Sequence, residues 1–413
     1  MEPTREAASE ALAAFLPRAG RAYAKSRNYD FGPDTRGNVS TLSPYTRHRI
    51  ITEQQIAQAV LQRHALSSAE KFIQEVCWRT YWKGWLEHRP TLWPLYLDAV
   101  ERDFDALKAD DVLAAAYAEA IESRTGIECF DTWSRELQTT GYLHNHARMW
   151  FASIWIFTLE LPWTLGADFF YTHLFDGDPA SNTLSWRWVA GLQTKGKTYL
   201  ARSDNIATFT EGRFPDTPQL AGAALPVDDV IPELMKTPLP MRATPPADTN
   251  ALLLLHEDDL HPESLPLNDI KLTGIAALGA DTSRLRLARH LQTFRQAALR
   301  TASEHTSKTF NIPAMPFLPV PDAGSEPDME TLAADLKAFA AKHGSGSVVT
   351  AEAPVGPARK ALDDLEPHLE AAGLKLYRLR RNWDAAFWPH ATAGFFKLKN
   401  KIPRVLEDLE LLR

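Results

Sequence analysis

The chain has 413 residues, 45% hydrophobic and 23% charged, with 45 Lys and Arg against 52 Asp and Glu and a formal net charge of -7. That length exceeds one hydrophobic core, so two domains are expected. The charge excludes a general polyanion binder: residues 1–210 hold 22 Lys and Arg against 25 Asp and Glu, so any nucleic-acid site has to be a local patch. Cys77 and Cys129 sit in no paired motif, which excludes a disulfide scaffold and a cysteine-based metal cluster and fits a reducing, cytoplasmic setting. The opening MEPTREAASEALAAF is acidic and lacks the apolar run of a secretory signal. No stretch approaches the ~20 apolar residues of a membrane span.

Residues 1–210 read as helix after helix. TREAASEALAAFLPRAGRAYAKS combines helical periodicity with good helix formers. TEQQIAQAVLQRH opens on Thr52 with Gln55 three residues on, the pattern of a capping box. SAEKFIQEVCWRTYWKGWLEHRP is a long amphipathic run stopped by Pro90. Further helices are expected over about 111–123, 129–139, 142–160 and 167–175, and strand signals are scarce, so 1–210 is expected to be all-helical. Of the twelve tryptophans, ten fall between Trp78 and Trp188 and mark an aromatic-rich core. Residues 211–248 repeat proline too often for regular structure and read as a linker.

Residues 249–413 alternate. ALLLL and KLTGIAALG read as strands, SRLRLARHLQTFRQAALRTAS (283–303) and METLAADLKAFAAKH as helices, the latter ended by Gly344. SVVTAEA, PARKALDDLEPHLEAAG and LKLYRL follow as strand, helix and strand. Such alternation predicts a smaller, Rossmann-like α/β domain with a parallel sheet. It carries no GxGxxG after its first strand and no P-loop, so the usual phosphate cradles are missing.

Chemistry concentrates in the first half. Glu75, Trp78, Arg79 and Trp82 fall at i, i+3, i+4 and i+7 and share one helical face. A carboxylate, indoles and a guanidinium there can grip a flat ligand, or form a salt-bridged helix around packed tryptophan. In GYLHNHARMW, Asn145, Arg148 and Met149 repeat that spacing. Arg148, set among Trp, Phe and Ile, needs an anion, for which Asp176 and Asp178 are candidates; a structural ion pair is the other reading. In FDGDPASNTLSW, Asp178 can cap a helix whose Asn182 and Trp186 stand at i and i+4, with Trp188 next. An amide beside clustered indoles suits a redox cofactor, or equally a capped helix in an aromatic core. In NVSTLSPY, Ser40, Thr41 and Ser43 could hold a diphosphate through hydroxyls and free backbone N–H groups, although such residues are ordinary in turns.

In this order NVSTLSPY, EVCWRTYW, SRTGIECFD, TGYLHNHARMW and FDGDPASNTLSWRWVAG resemble the FAD-binding helical domain of the DNA photolyase and cryptochrome family. The resemblance implies FAD as cofactor, with Ser40, Thr41, Leu42 and Ser43 at its phosphates and Asn145, Arg148, Asp176, Asp178 and Asn182 around the flavin. In that loop the family's Thr is Val39 here and its Arg is Thr41. It places Asn182 opposite the flavin N5, as photolyases do. Glu75, Trp78, Arg79, Met149 and Trp188 match the surface holding a flipped cyclobutane pyrimidine dimer, with Arg79, Lys195, Lys197 and Arg202 as candidate phosphate contacts. Asn145 stands where enzymes repairing (6-4) photoproducts carry His, which speaks against that substrate.

The implied activity is that of a deoxyribodipyrimidine photolyase: reduced FAD passes an electron to the dimer under blue light, with Glu75 and Asn182 at the site. UV-damaged DNA is the implied partner of a monomeric, non-membrane protein; the alternative is a cryptochrome-like photoreceptor without repair. The family relay of tryptophans keeps Trp186 and Trp163, but its outer position falls near Ala120, so an exit through Trp155 or Trp150 is expected instead. The family places its α/β antenna domain first. Here an α/β segment with LLLLHEDDL and WPHATAGFFKLKNKIP comes second, which suggests a circular permutation. Whether it holds an antenna chromophore is not legible.

Overall fold

The computed structural model describes residues 1–228, 231–232, 234–267, 269–279, 287–316 and 328–412. Local chemistry starts and stops its helices. The Thr4 hydroxyl accepts from the Ala7 amide to begin Arg5–Phe15. Thr52 and Gln55 form the expected reciprocal capping box ahead of Glu53–Arg63. The amphipathic run becomes Leu66–Glu87, short of Pro90. Asp110 caps Asp111–Ile121, and Glu128–Thr140 ends on Gly141 in the left-handed region, at φ 65.

That glycine also delays the helix expected over 142–160, which begins three residues later than expected. A left-handed residue breaks the helical hydrogen-bond ladder, so the chain turns and a new helix begins at Asn145, capped by the ring of His144. Asn145–Ser153 then widens into a π turn over Ile154–Thr158. The expected 167–175 helix starts earlier and runs Trp163–His173. Leu92–Ala109 is a further helix that the periodicity reading does not assign; Pro94 sits in its first turn, where a missing N–H costs nothing. Residues 211–228 carry no helix or strand, in keeping with their proline content.

In the second half, β1 (Asn250–His256), β2 (Lys271–Leu278), β3 (Ser347–Ala351) and β4 (Lys375–Leu379) form one sheet in the order β2-β1-β3-β4. Every pairing is parallel, with Leu253 opposite Ile275 and Val349, and Val349 opposite Tyr377. The helix expected over 283–303 is Arg289–Phe310; residues 283–286 lie outside the described set. Met329–His343 ends on Gly344, and Pro357–Ala371 separates β3 from β4. One feature departs from a regular βαβ repeat. Among its described residues the link from β1 to β2 holds only the short 3-10 turn Pro262–Ser264, and it begins with the buried acidic run Glu257–Asp259.

Alternation along β1 assigns its two faces. Leu252 and Leu254 pack with Leu336, Val348 and Leu362 under the Met329–His343 and Pro357–Ala371 helices. Leu253 and Leu255 join the core that contains Trp133, Trp150, Trp155 and Trp186. One apolar core is therefore continuous between the helical half and one face of the sheet. The second half ends in short helices, among them Asn382–Phe387 and Phe395–Lys399, which pack on Leu66–Glu87. No helix among the described residues is long and apolar enough to cross a membrane.

Candidate functional site

A cavity of about 580 Å3 opens among the first-half helices, within the range of small-molecule and cofactor sites. Four of the five segments singled out in the sequence reach it; SRTGIECFD does not, and Asp178 lies outside its lining. Ser40, Thr41, Leu42 and Ser43 form one wall; Thr41 is held at φ 52, and the Leu42 amide donates to the Ser40 hydroxyl at 3.4 Å. The shared helical face of Glu75, Trp78, Arg79 and Trp82 forms a second wall, and Asn145, Arg148 and Met149 a third. Asp176, Asn182, Trp186 and Trp188 close the remainder.

Ion pairs order this lining. The Arg148 guanidinium meets Asp176 as a fork, Nη1 3.0 Å from Oδ1 and Nη2 3.0 Å from Oδ2, and its Nε donates to the Leu143 carbonyl at 2.8 Å. Burial on its own raises the Asp176 carboxyl; Arg148, Arg79 and the Ser43 hydroxyl overcome that and hold it below its ordinary value. Arg79 is committed to the same turn, pairing with Asp178 and donating to the Asp176 carbonyl at 3.2 Å. Asp178 also accepts from the Ser181 amide at 2.8 Å and so caps Pro179–Val189 as expected. That helix begins with proline at its first position and points Asn182 at the cavity. The Asn182 amide nitrogen donates to the Ala167 carbonyl at 2.7 Å, leaving its oxygen toward the cavity.

Glu75 pairs with Arg27, a residue sequence reasoning missed because YAKSRNYD shows no motif around it. Burial raises the Glu75 carboxyl above its ordinary value, against the pull of Arg27. His144 joins the same wall: its Nδ1 accepts from the His146 amide at 3.2 Å, so its Nε2 carries the proton donated to the Arg27 carbonyl at 3.1 Å. Burial pushes the His144 pKa down to about 4, which keeps that neutral tautomer. Ser181 was missed as well. It lines the cavity with a buried hydroxyl that finds no partner among the described residues.

The aromatic residues divide. Trp78 lines the cavity, but Phe395 of the second half stacks on it at 3.7 Å and 13°. Trp188 stacks with Tyr199 at 5.7 Å. Trp186 stands edge-on to Trp155 at 6.2 Å, and Trp155 edge-on to the half-buried Tyr117 at 6.0 Å. Trp163 lies outside the cavity lining, 5.7 Å from Tyr96. Trp150 stacks on Trp133 at 5.4 Å and on His146 at 4.0 Å. Lys195 and Lys197 are exposed, whereas Arg202 is exposed but bonded to Asp204 at 2.7 Å.

The forked Arg148–Asp176 ion pair, the Asn182 amide, the Ser181 hydroxyl and the hydroxyl-rich loop fit a flat heteroaromatic ligand with a diphosphate arm. Comparison with known proteins points the same way. Residues 72–217 match the family model described as the FAD binding domain of DNA photolyase. The chain is 34% identical over 200 residues to a deoxyribodipyrimidine photo-lyase of Thermus thermophilus, covering 48% of this chain and 45% of that protein. It is 32% identical over 197 residues to one of a Synechococcus species, covering 46% and 39%. A solved class III photolyase of Agrobacterium tumefaciens aligns at 28% identity with a TM-score of 0.42, over 50% of this chain and 42% of that one. The chain thus spans less than half the length of the curated relatives it matches.

Proposed function

We propose that this protein holds FAD in the cavity and splits cyclobutane pyrimidine dimers in UV-damaged DNA with blue light, a reading supported by the match of residues 72–217 to the FAD binding domain of DNA photolyase. The observation that carries the reading is that one cavity collects the Arg148–Asp176 pair, the Asn182 amide oxygen, and Glu75 with Trp78 and Met149. Bound there in reduced form, FAD would supply light absorption and a transferable electron.

The chain's own groups then have distinct tasks. Arg148, fixed as a fork on Asp176, sets a positive charge beside the ring and favours an anionic ligand. Asn182, anchored through its nitrogen, can present its oxygen as an acceptor to a facing ring N–H. Ser40, Thr41, Leu42 and Ser43 offer hydroxyls and amides to the phosphates. Glu75, held by Arg27, can hydrogen-bond a pyrimidine edge. Trp78, Met149 and Trp188 supply apolar surface for an extruded dimer, and the exposed Lys195 and Lys197 are candidate phosphate contacts, as is Arg202 once released from Asp204. Arg79 acts from behind this surface, through Asp178 and Asp176.

The test uses UV-irradiated oligonucleotide and reduced, FAD-loaded protein. Dimers should disappear under blue light and persist in darkness; persistence in the light would refute repair. A photoreceptor without repair is the second reading, favoured by the stacking of Phe395 on Trp78, which covers one face of the indole meant to receive the dimer. A flavin spectrum and light-driven flavin reduction without dimer loss would select it.

A further inference from the structure

In an open parallel sheet, the crevice outside the carboxyl ends of the strands, where strand order reverses, is the usual ligand site. In this sheet the reversal falls at β1, between β2 and β3. The carboxyl end of β1 runs into His256, Glu257, Asp258 and Asp259, all buried. What fills the crevice comes from the other half of the chain. Directly after the Ser43–Arg47 helix, Arg47, His48 and Arg49 enter it, each at most 1% exposed.

Their contacts are specific. Arg47 pairs with Asp258, and its Nη2 lies 3.5 Å from Glu257, which Arg295 meets from the other side at 3.1 Å. Its Nε donates to the Gly177 carbonyl at 2.8 Å. The His48 Nδ1 lies 2.7 Å from the Glu257 carbonyl, and the Leu260 amide donates to the His48 carbonyl at 3.0 Å. Arg49 meets Glu53 at 3.1 Å, Asp259 at 3.3 Å and Asp384 at 2.6 Å. It does so at φ 48, a backbone state that costs a non-glycine residue about 1 kcal/mol or more and persists only where surroundings impose it.

Arg47 therefore touches three things at once. One is the acidic end of β1. Another is Gly177, the centre of the turn whose Asp176 and Asp178 anchor Arg148 and Arg79. The third is its own helix, which starts at Ser43 in the cavity wall. We propose that Arg47 is a positioning residue through which the α/β half braces the flavin site, fixing the Ser40–Ser43 loop and the Asp176–Asp178 turn relative to one another. The inference rests on the flavin reading. It also means that the crevice is filled by the protein's own side chains.

Removing one partner of a buried pair strands the other charge, whereas replacing both with apolar groups of similar size often spares stability. The test is therefore the full chain with Arg47→Met and Asp258→Leu combined, titrated with FAD in the dark by flavin fluorescence. Its melting temperature is measured without ligand. FAD affinity should fall at least ten-fold with the ligand-free melting temperature held within a few degrees. Arg47→Lys, which keeps the charge but lacks the fork needed to reach Asp258 and Gly177 together, should also weaken binding, and it carries the test should the double variant fail to fold. Unchanged FAD affinity in a folded variant overturns the brace. A wild-type protein that takes up no FAD overturns the flavin reading itself, and the brace with it.

Discussion

Asp168 shows what burial does to a single carboxyl. It lies in Trp163–His173, and its Oδ1 has no hydrogen-bond partner among the described residues. Burial pushes its pKa up from 3.8 to about 7; burial also raises the phenols of Tyr96 and Tyr117, and the Asp168 charge adds to that. A folded value above the unfolded one stabilises the fold fully below pH 3.8; that contribution is lost as pH rises through 7. The shift corresponds to about 4 kcal/mol. Asp168→Asn should accordingly gain stability over the parent at pH 8 and little or none at pH 4, read from urea midpoints; an equal gain at both would show that the carboxyl titrates normally. Nothing near Asp168 in the sequence announces this. Its cost depends on how many apolar atoms other helices bring around it. Arg148 was more legible, because an arginine embedded in WFASIWIF has to find an anion wherever that anion lies.

At the scale of elements, caps and breakers were the most readable features. Thr52 with Gln55, Asp178 before Pro179, and Gly344 each act within a few residues of the end they define, so local sequence carries the whole instruction. The π turn at Ile154–Thr158 was not readable, since periodicity counts 3.6 residues per turn and a wider turn leaves no compositional mark. That turn carries Trp155. The approach of Trp155 and Trp186 is permitted by Gly166: a Cβ there would overlap the Trp186 indole and come within 2.9 Å of Trp155. Rings thus run from the cavity wall at Trp186 through Trp155 to the half-buried Tyr117. If this path supplies electrons to the site, Trp155→Phe should slow light-driven reduction of bound flavin several-fold, while Trp150→Phe leaves it unchanged. Equal rates for Trp155→Phe and the parent would discard the path. Trp163, the other relay residue expected from the resemblance, packs on Tyr96 and lies under the Arg187 guanidinium.

For the whole molecule, the seam between the halves is electrostatic as well as apolar. Burial on its own raises the Asp258 carboxyl, but Arg47, His256 and Lys83 more than offset this and hold it at about 2; Arg381 and Arg49 likewise hold Asp259 well below its ordinary value. A depressed carboxyl contributes stability above its unfolded value of 3.8 and loses it as pH falls toward 2. For Asp258 that is about 2 kcal/mol. Melting temperature should fall between pH 4 and 2, and the combined Arg47→Met and Asp258→Leu variant should fall less steeply there; parallel curves would remove the seam from the account.

The shared cavity was expected only through the family resemblance; repeats of three and four residues and the alternation of LLLL and SVVTA were enough to specify an all-helical half and a parallel α/β half. Those features are local, and their periods are imposed by backbone geometry before any tertiary contact forms. Packing alone decided that Arg47 meets Asp258 across 211 residues, that Phe395 covers Trp78, that Arg27 claims Glu75, and that Trp155 adjoins Trp186. Coulombic and stacking contacts between distant segments leave no spacing signature, because what selects each partner is the shape of the common core that brings the two together.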